Sequence, residues 1–448
     1  MTARVIRSNR VLTPDGPRPA AIHVEGGRIV RVADLDDTPG GADVVDANDL
    51  LVMPGLVDTH VHVNDPGRTE WEGFETATRS AAAGGVTTLL DMPLNSIPAT
   101  TSVAALRAKR EAAAGRTWVD VGFIGGVVPG NASALGDLAR DGVLAFKCFL
   151  VPSGVPEFEH VGEEDLREAM PILASLGLPL MVHAELPGPI EAAYEYVGPA
   201  DPRRYATYLA SRPPAAETQA VEMMVELCAV TGARTHIVHI SSAASVPLLH
   251  DARARGLRLT AETCPHYLAI DAEDVADGAT EFKCAPPIRE RANRNALWTA
   301  LVRGDLDMIV SDHSPCPPSM KEREGGNWFA AWGGIASLQL AASVVWTEMR
   351  QREIEVGRLA RWMSEAPAAL AGLDGRKGRI APGYDADLVL WNPDTEYSVE
   401  PRALLHRHPI TPYIGRRLAG VVEATYVRGE LAYDLRSGPV AKPVGRLL

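Results

Sequence analysis

The chain has 448 residues, of which 46% are hydrophobic and 23% charged, with a formal net charge of −13. That is enough for one large globular domain and a smaller one. The acidic balance argues against nucleic acid or an anionic membrane as a partner, and no run reaches the roughly 18 apolar residues of a membrane span.

The chain opens with "ARVIRSNRVLT" and "AAIHVEGGRIVRVA", two strand-like runs, with Gly26-Gly27 as a hairpin signal. It closes in the same manner. "DADLVLWNP" and "VVEATYVRGELAYD" are β-rich, and Arg428-Gly429 predicts a tight turn. Residues 1–53 and 377–448 are therefore expected to form one small β-sandwich domain built from both ends. The opening residues lack the continuous apolar stretch of a secretory signal. Five scattered cysteines, Cys148, Cys228, Cys264, Cys284 and Cys316, form no C-x-x-C pair. They suit a reducing compartment, and a cytoplasmic location is expected.

Residues 54–376 alternate strand and helix. The predicted strands are "GLVDTH", "VTTLLDM", "DVGFIGG", "LAFKCF", "LPLMVH", "THIVHI", "LRLTAE" and "LDMIVSD". Between them lie helical stretches such as "FETATRSAAAGG", "EEDLREAMPILASLG" and "AETQAVEMMVELCAVTG". Short apolar β-branched strands suit a parallel sheet buried on both faces. Eight such units predict a (β/α)8 TIM barrel, an α/β fold whose chemistry sits at the carboxyl ends of its strands.

Those ends carry a pattern. His60 and His62 close the first strand, Lys147 lies in the fourth, His183 ends the fifth, His239 the sixth and Asp312 the eighth. Residues i and i+2 of a strand share a face, so His60 and His62 can bind one ion together. H-x-H alone is a weak signal; the full set at five strand ends is strong. Imidazole and carboxylate suit a divalent metal, zinc first, with cobalt, manganese or iron also accommodated. Lys147 stands between Phe146 and Cys148 in an apolar strand. Either it snorkels to a partner or it is a buried neutral amine able to take up carbon dioxide, giving an N6-carboxylysine that bridges two cations. Asp312 can bind a metal and accept a proton from a bridging water, or cap a helix.

His236 precedes His239 by three and is expected to face the other way, either in the core or behind the ligands as a supporting group. His266 and His313 either orient ligands or are satisfied buried histidines. Glu185 reads as a loop residue, and His23, His160, His250, His406 and His408 receive no role.

In this order, the motif resembles the cyclic amidohydrolases: dihydroorotases, hydantoinases and dihydropyrimidinases, and allantoinases. The resemblance covers essentially the whole chain and is closest to the allantoinases. It is carried by "EWEGFETATRSAAAGGVTTLLDMPLNSIPATT", "AFKCFL", "CPHYL", "KCAPPIR", "VSDHSPCPPSMK", "AWGGIASLQ", "KGRIAPGYDADLVLW" and "HPITPYIGR". It implies that His60, His62 and Asp312 hold one metal and that His183 and His239 hold the other. Carboxylated Lys147 and a hydroxide would bridge them, with Asp312 as the catalytic proton carrier. It also implies hydrolysis of allantoin, a small molecule, to allantoate in purine breakdown, and a homotetramer.

Dihydroorotase-like proteins place an arginine two residues after the second histidine; Asn64 stands here, which suits a neutral substrate, although Arg68 is near. Hydantoinase-like proteins carry a tyrosine shortly after the lysine, and "KCFLVPSG" has none. Asn95 and Ser314 are either substrate contacts or a cap and a turn, and backbone near Ala285 and Gly333 is expected to hold the ring. The alternatives are a hydantoinase or dihydropyrimidinase acting on another cyclic ureide, or a non-catalytic scaffold.

Overall fold

The computed structural model describes residues 4–198 and 200–448. Eight strands pair in parallel in chain order: Leu56–Val61, Val86–Asp91, Asp120–Gly126, Ala145–Phe149, Leu180–His183, Thr235–Ile237, Leu259–Thr263 and Met308–Ile309. They coincide with the eight predicted strands. The sheet curls until its ends meet. Val61 and His313 form a parallel bridge, and the His62 N–H donates to the His313 carbonyl at 2.8 Å. Asp58 reinforces this seam by accepting from the N–H groups of His60 and Ser311, each at 3.0 Å.

Alternation along each strand divides the apolar residues between two cores. Val57, Leu90, Ile124, Ala145, Met181 and Met308 pack inside the barrel. Leu56, Leu89, Val121, Phe146, Cys148, Leu180, Val182 and Ile237 pack outward against the helices. Phe146 and Cys148 thus belong to the outer core, and the residue between them, Lys147, is turned inward by the period of two. The predicted helices are also present, as Phe74–Ala83, Glu163–Leu176 and Pro214–Thr231. Glu163–Leu176 buries Leu166, Ala169, Met170 and Leu173, one stripe at helical spacing. It ends at Gly177 with φ 70°, and Pro214–Thr231 ends at Gly232 with φ 68°, left-handed closures that favour glycine.

The second sheet draws on both ends of the chain. Arg4–Thr13, Gly16–Glu25, Arg28–Ala33, Asp43–Asp46 and Leu51–Pro54 come from the first part. Leu388–Ser398, Arg417–Val427, Glu430–Asp434 and Gly438–Pro439 come from the last. Leu51–Pro54 joins the two groups, parallel to Arg4–Thr13 and antiparallel to Leu388–Ser398. Ile6, Ile22, Val24, Leu388, Leu390 and Ala424 share one core, so faces from both ends pack together as in a sandwich. Both predicted turns are two-residue hairpins with positive φ, at Gly26-Gly27 and Arg428-Gly429.

A buried ion cluster fastens this sheet to the barrel. Lys377 Nζ lies 2.6 Å from Asp120 and 2.7 Å from Asp387, with Asp385 at 3.2 Å, and Arg428 also pairs with Asp120. Arg376 lies 3.0 Å from Asp385, so three protein cations face the three carboxylates and this acidic group needs no metal. Among the described residues, no helix is long and apolar enough to cross a membrane.

Candidate active site

The six strand-end residues converge. The His60 ring centroid is 5.5 Å from that of His62 and 5.4 Å from that of His239, and His239 is 4.6 Å from His183. Asp312 Oδ1 lies 3.3 Å from His60 Nε2 and 3.7 Å from His62 Nε2. Lys147 Nζ sits 4.4 Å from the centroid of Phe149, whose ring stacks on His183. The backbone turns sharply to achieve this: φ is 40° at His239 and 44° at Asp312, both past the ends of their strands. Left-handed residues of this kind are strained and are held by their surroundings.

All six side chains are buried, and burial dictates their charge. Burial, with the neighbouring His60, pushes the imidazole of His62 well down; burial brings His183 to about 4 and, with His183 and Lys147 nearby, drives His239 well down. These rings are neutral and carry lone pairs. Burial lowers the Lys147 amine to about 8 and raises the Asp312 carboxyl. Lys147 Nζ and His239 Nδ1 are buried with no hydrogen-bond partner. Orphaned polar atoms of this kind are costly unless something satisfies them. The donor set, several neutral imidazoles with a carboxylate and an amine whose proton burial has loosened, fits divalent cations. His60, His62 and Asp312 can place their ligand atoms within 4.8 Å of one another.

A cavity of about 600 Å³ opens over the cluster. His60, His62, His183, His239 and Asp312 form its floor, with Lys147 buried beneath. Asn95, Ser314, Ala285 and Gly333 all line it. Asn95 Nδ2 is 3.4 Å from His62 Nδ1, while its Oδ1 has no partner. Ser314 donates to Asp312 Oδ1 at 2.7 Å. Arg68, a possible anion receptor, is spent elsewhere: it pairs with Glu157, donates to the Asn95 carbonyl at 2.9 Å and lies over Trp71.

The structure corrects one local expectation, the facing of His236, and sharpens two others. Glu185 lies in a loop, as expected, but it is buried there, 2.8 Å from His183 Nε2, and takes two hydrogen bonds from Arg212 at 3.0 and 2.5 Å. His236 does not face away from the site. Its strand stops at Ile237, the positive φ at His239 breaks the alternation, and His236 reaches Glu262 at 2.8 Å. Glu262 in turn lies 2.6 Å from His60 Nδ1. Of the two readings offered for His313, it is the satisfied buried histidine. Its Nδ1 accepts from the N–H groups of Ser337 and Leu338 at 3.2 and 3.3 Å, and its Nε2 faces Glu72 at 3.3 Å. His266 is buried with neither ring nitrogen partnered. Glu262 was open to the same reading as Asp312, since it closes the seventh predicted strand.

Residues 51–432 match the Amidohydrolase family. The chain is 49% identical to an allantoinase of Streptomyces avermitilis, over 99% of this chain and 98% of that one. It is 40% identical to the allantoinase of Saccharomyces cerevisiae, over 100% and 99%. Among solved structures, the L-hydantoinase (dihydropyrimidinase) of Arthrobacter aurescens superposes with a TM-score of 0.94 at 30% identity, covering 100% of this chain and 99% of that one. The dihydropyrimidinase of Brevibacillus agri gives 0.90 at 27% identity, over 100% and 98%. The fold, a curled parallel sheet joined to a second sheet from both termini, is thus shared with these solved structures over the full length of the chain, which belongs to the amidohydrolase family.

Proposed function

We propose that the chain is an allantoinase, a hydrolase that opens the cyclic amide of allantoin to give allantoate, and that it works with two divalent cations, zinc first, and a carboxylated Lys147. One observation carries this reading: a fully buried lysine amine without a hydrogen-bond partner, beneath four imidazoles and a carboxylate. Burial brings that amine to about 8, so part of it is neutral near pH 7. A neutral amine adds to carbon dioxide; the N–C bond forms, a proton leaves to solvent, and an anion with two oxygens remains. His60, His62 and Asp312 would hold one cation, His183 and His239 the other, and the carbamate both. Bound there, the cations would polarise a carbonyl and acidify water.

The protein's own groups do the rest. Asp312 Oδ1 is engaged by Ser314 and faces His60 and His62, so Oδ2 is left to take a proton and return it to the leaving ring nitrogen. Asn95 Oδ1 is placed to accept a ring or ureido N–H, and Ser314 and the backbone at Ala285 and Gly333 to orient the ring. Arg68 and Arg212 are both paired with carboxylates, which favours a neutral ureide over an anionic ring. The same reading divides the chain into a hydrolase domain, 54–376, and a small domain, 1–53 with 377–448, and places it in the cytoplasm as a homotetramer.

Hydrolysis of allantoin by metal-analysed protein is the direct test. Hydantoin and dihydrouracil are the comparison substrates, because the solved relatives are named for those activities. Absence of allantoin turnover with turnover of either ring would replace the substrate, and a metal-free inactive protein would favour a scaffold.

A further inference from the structure

Two buried carboxylates stand behind two of the four imidazoles. Glu262, at the end of the seventh barrel strand, has Oε1 2.6 Å from His60 Nδ1 and Oε2 2.8 Å from His236 Nε2. His236 is fixed in turn by Thr260 Oγ1, 2.8 Å from its Nδ1. Glu185 has Oε2 2.8 Å from His183 Nε2 and is clamped by Arg212. Both carboxylates are fully buried, and an ionised carboxylate can only accept. His60 must therefore carry its proton on Nδ1 and His183 on Nε2. The bare nitrogens are then Nε2 of His60, which faces Asp312, and Nδ1 of His183. The two rings are held in opposite tautomers.

The other two histidines have no such support. His62 has only the Asn95 amide at 3.4 Å, and His239 Nδ1 has no partner. Within the two-cation reading above, on which this rests, each cation would have one held and one unheld histidine: His60 with His62, and His183 with His239. We propose that Glu262 and Glu185 are positioning residues, one for each half of the centre, that select the ring nitrogen offered by His60 and His183 and thereby set the affinity of each cation separately.

The test is cation stoichiometry in the full chain. Glu262→Gln and Glu185→Gln are each made alone and combined with His62→Ala or His239→Ala. Each protein is loaded with zinc, dialysed and measured by plasma mass spectrometry, with cobalt(II) titration for affinity. Each single variant should lose one cation, with about 10–100-fold weaker binding at one half-site and unchanged binding at the other. Glu262→Gln with His62→Ala should still keep one cation, whereas Glu262→Gln with His239→Ala should keep none. Glu185→Gln should give the mirror pattern. Glu262→Asp and Glu185→Asp, which retain the charge, should recover part of the affinity. Two cations held at wild-type affinity in the single Gln variants, or loss of both cations together, overturns the assignment. A wild-type chain that binds no cation overturns the metal reading itself, and the two failures are thereby told apart.

Discussion

Lys109 Nζ lies 2.7 Å from Asp91 Oδ2, an ion pair closed to solvent behind the strand end that carries His62. The other Asp91 oxygen accepts from the Val63 N–H at 2.9 Å, and Lys109 also donates to the Met92 carbonyl at 2.7 Å. The pair ties the segment after His62 to the second barrel strand and to the helix Val103–Ala113. Lys109→Met leaves a buried carboxylate without its counter-charge. The expected loss is about 3–5 kcal/mol of unfolding free energy, with partial recovery in Lys109→Met/Asp91→Asn. Denaturant unfolding of the three variants measures it; a single-variant loss under about 1 kcal/mol would contradict the role given to the pair.

Lys147→Ala should reduce allantoin hydrolysis to background and the cation content below that of the wild type. A short carboxylic acid added to the medium should restore part of both, because it supplies the two oxygens that the carbamate would. An alanine variant with full activity would remove Lys147 from the centre.

Lys283 and Lys321 approach one wall of the cavity from different segments. Lys283 donates to the Ala331 carbonyl at 2.5 Å, and Lys321 to the carbonyls of Trp332, at 3.1 Å, and Gly334. Burial lowers both amines, Lys283 to about 7, yet each donates to backbone carbonyls of the stretch that includes Gly333, and hydrogen bonds of this kind contribute roughly 0.5–1.5 kcal/mol each, so these two hold it. Lys321→Met is expected to raise KM for allantoin about 10-fold, with a smaller change in kcat, since the wall orients the ring and takes no proton. Steady-state kinetics separate the two; an equal fall in kcat at constant KM would go against it.

Glu217 supplies a pH dependence. Its Oε1 accepts from the N–H groups of Ser241 and Ser242, each at 2.9 Å, and Arg289 lies 3.6 Å away, yet burial still raises the carboxyl to about 7. The folded chain thus holds this proton more tightly than the unfolded one. The associated stability is complete below about pH 4.5 and is lost as pH rises through 7, a change of up to about 3 kcal/mol. Glu217→Gln cannot titrate. Its unfolding free energy relative to wild type should therefore improve between pH 5 and pH 8, as read by urea titration; parallel pH profiles would exclude Glu217 as the source.

The barrel was legible because each strand is a short apolar run bounded by polar residues, and that pattern depends only on local sequence. The six convergent side chains were legible for the same reason, once a barrel rim was assumed. What escaped was pairing across the fold. Nothing local to "HAELP" indicates that Arg212 will clamp Glu185, and nothing local to "TAETC" that Glu262 will lie between His60 and His236. The direction in which His236 faces was misread because alternation was extended past the point where its strand ends. Lys109 passed unnoticed, although its partner Asp91 stands next to last in a predicted strand.

The pairing of Leu51–Pro54 with Leu388–Ser398 joins segments more than three hundred residues apart. At about 5–20 residues per second, a ribosome delivers the later segment on the order of half a minute after the earlier one. During that interval the nascent first strands present an open edge, which can template pairing with a neighbouring chain. Yield during synthesis should therefore depend on how well that edge is shielded, and chaperone supply or slower expression at low temperature should matter more for this protein than its compact native state would suggest.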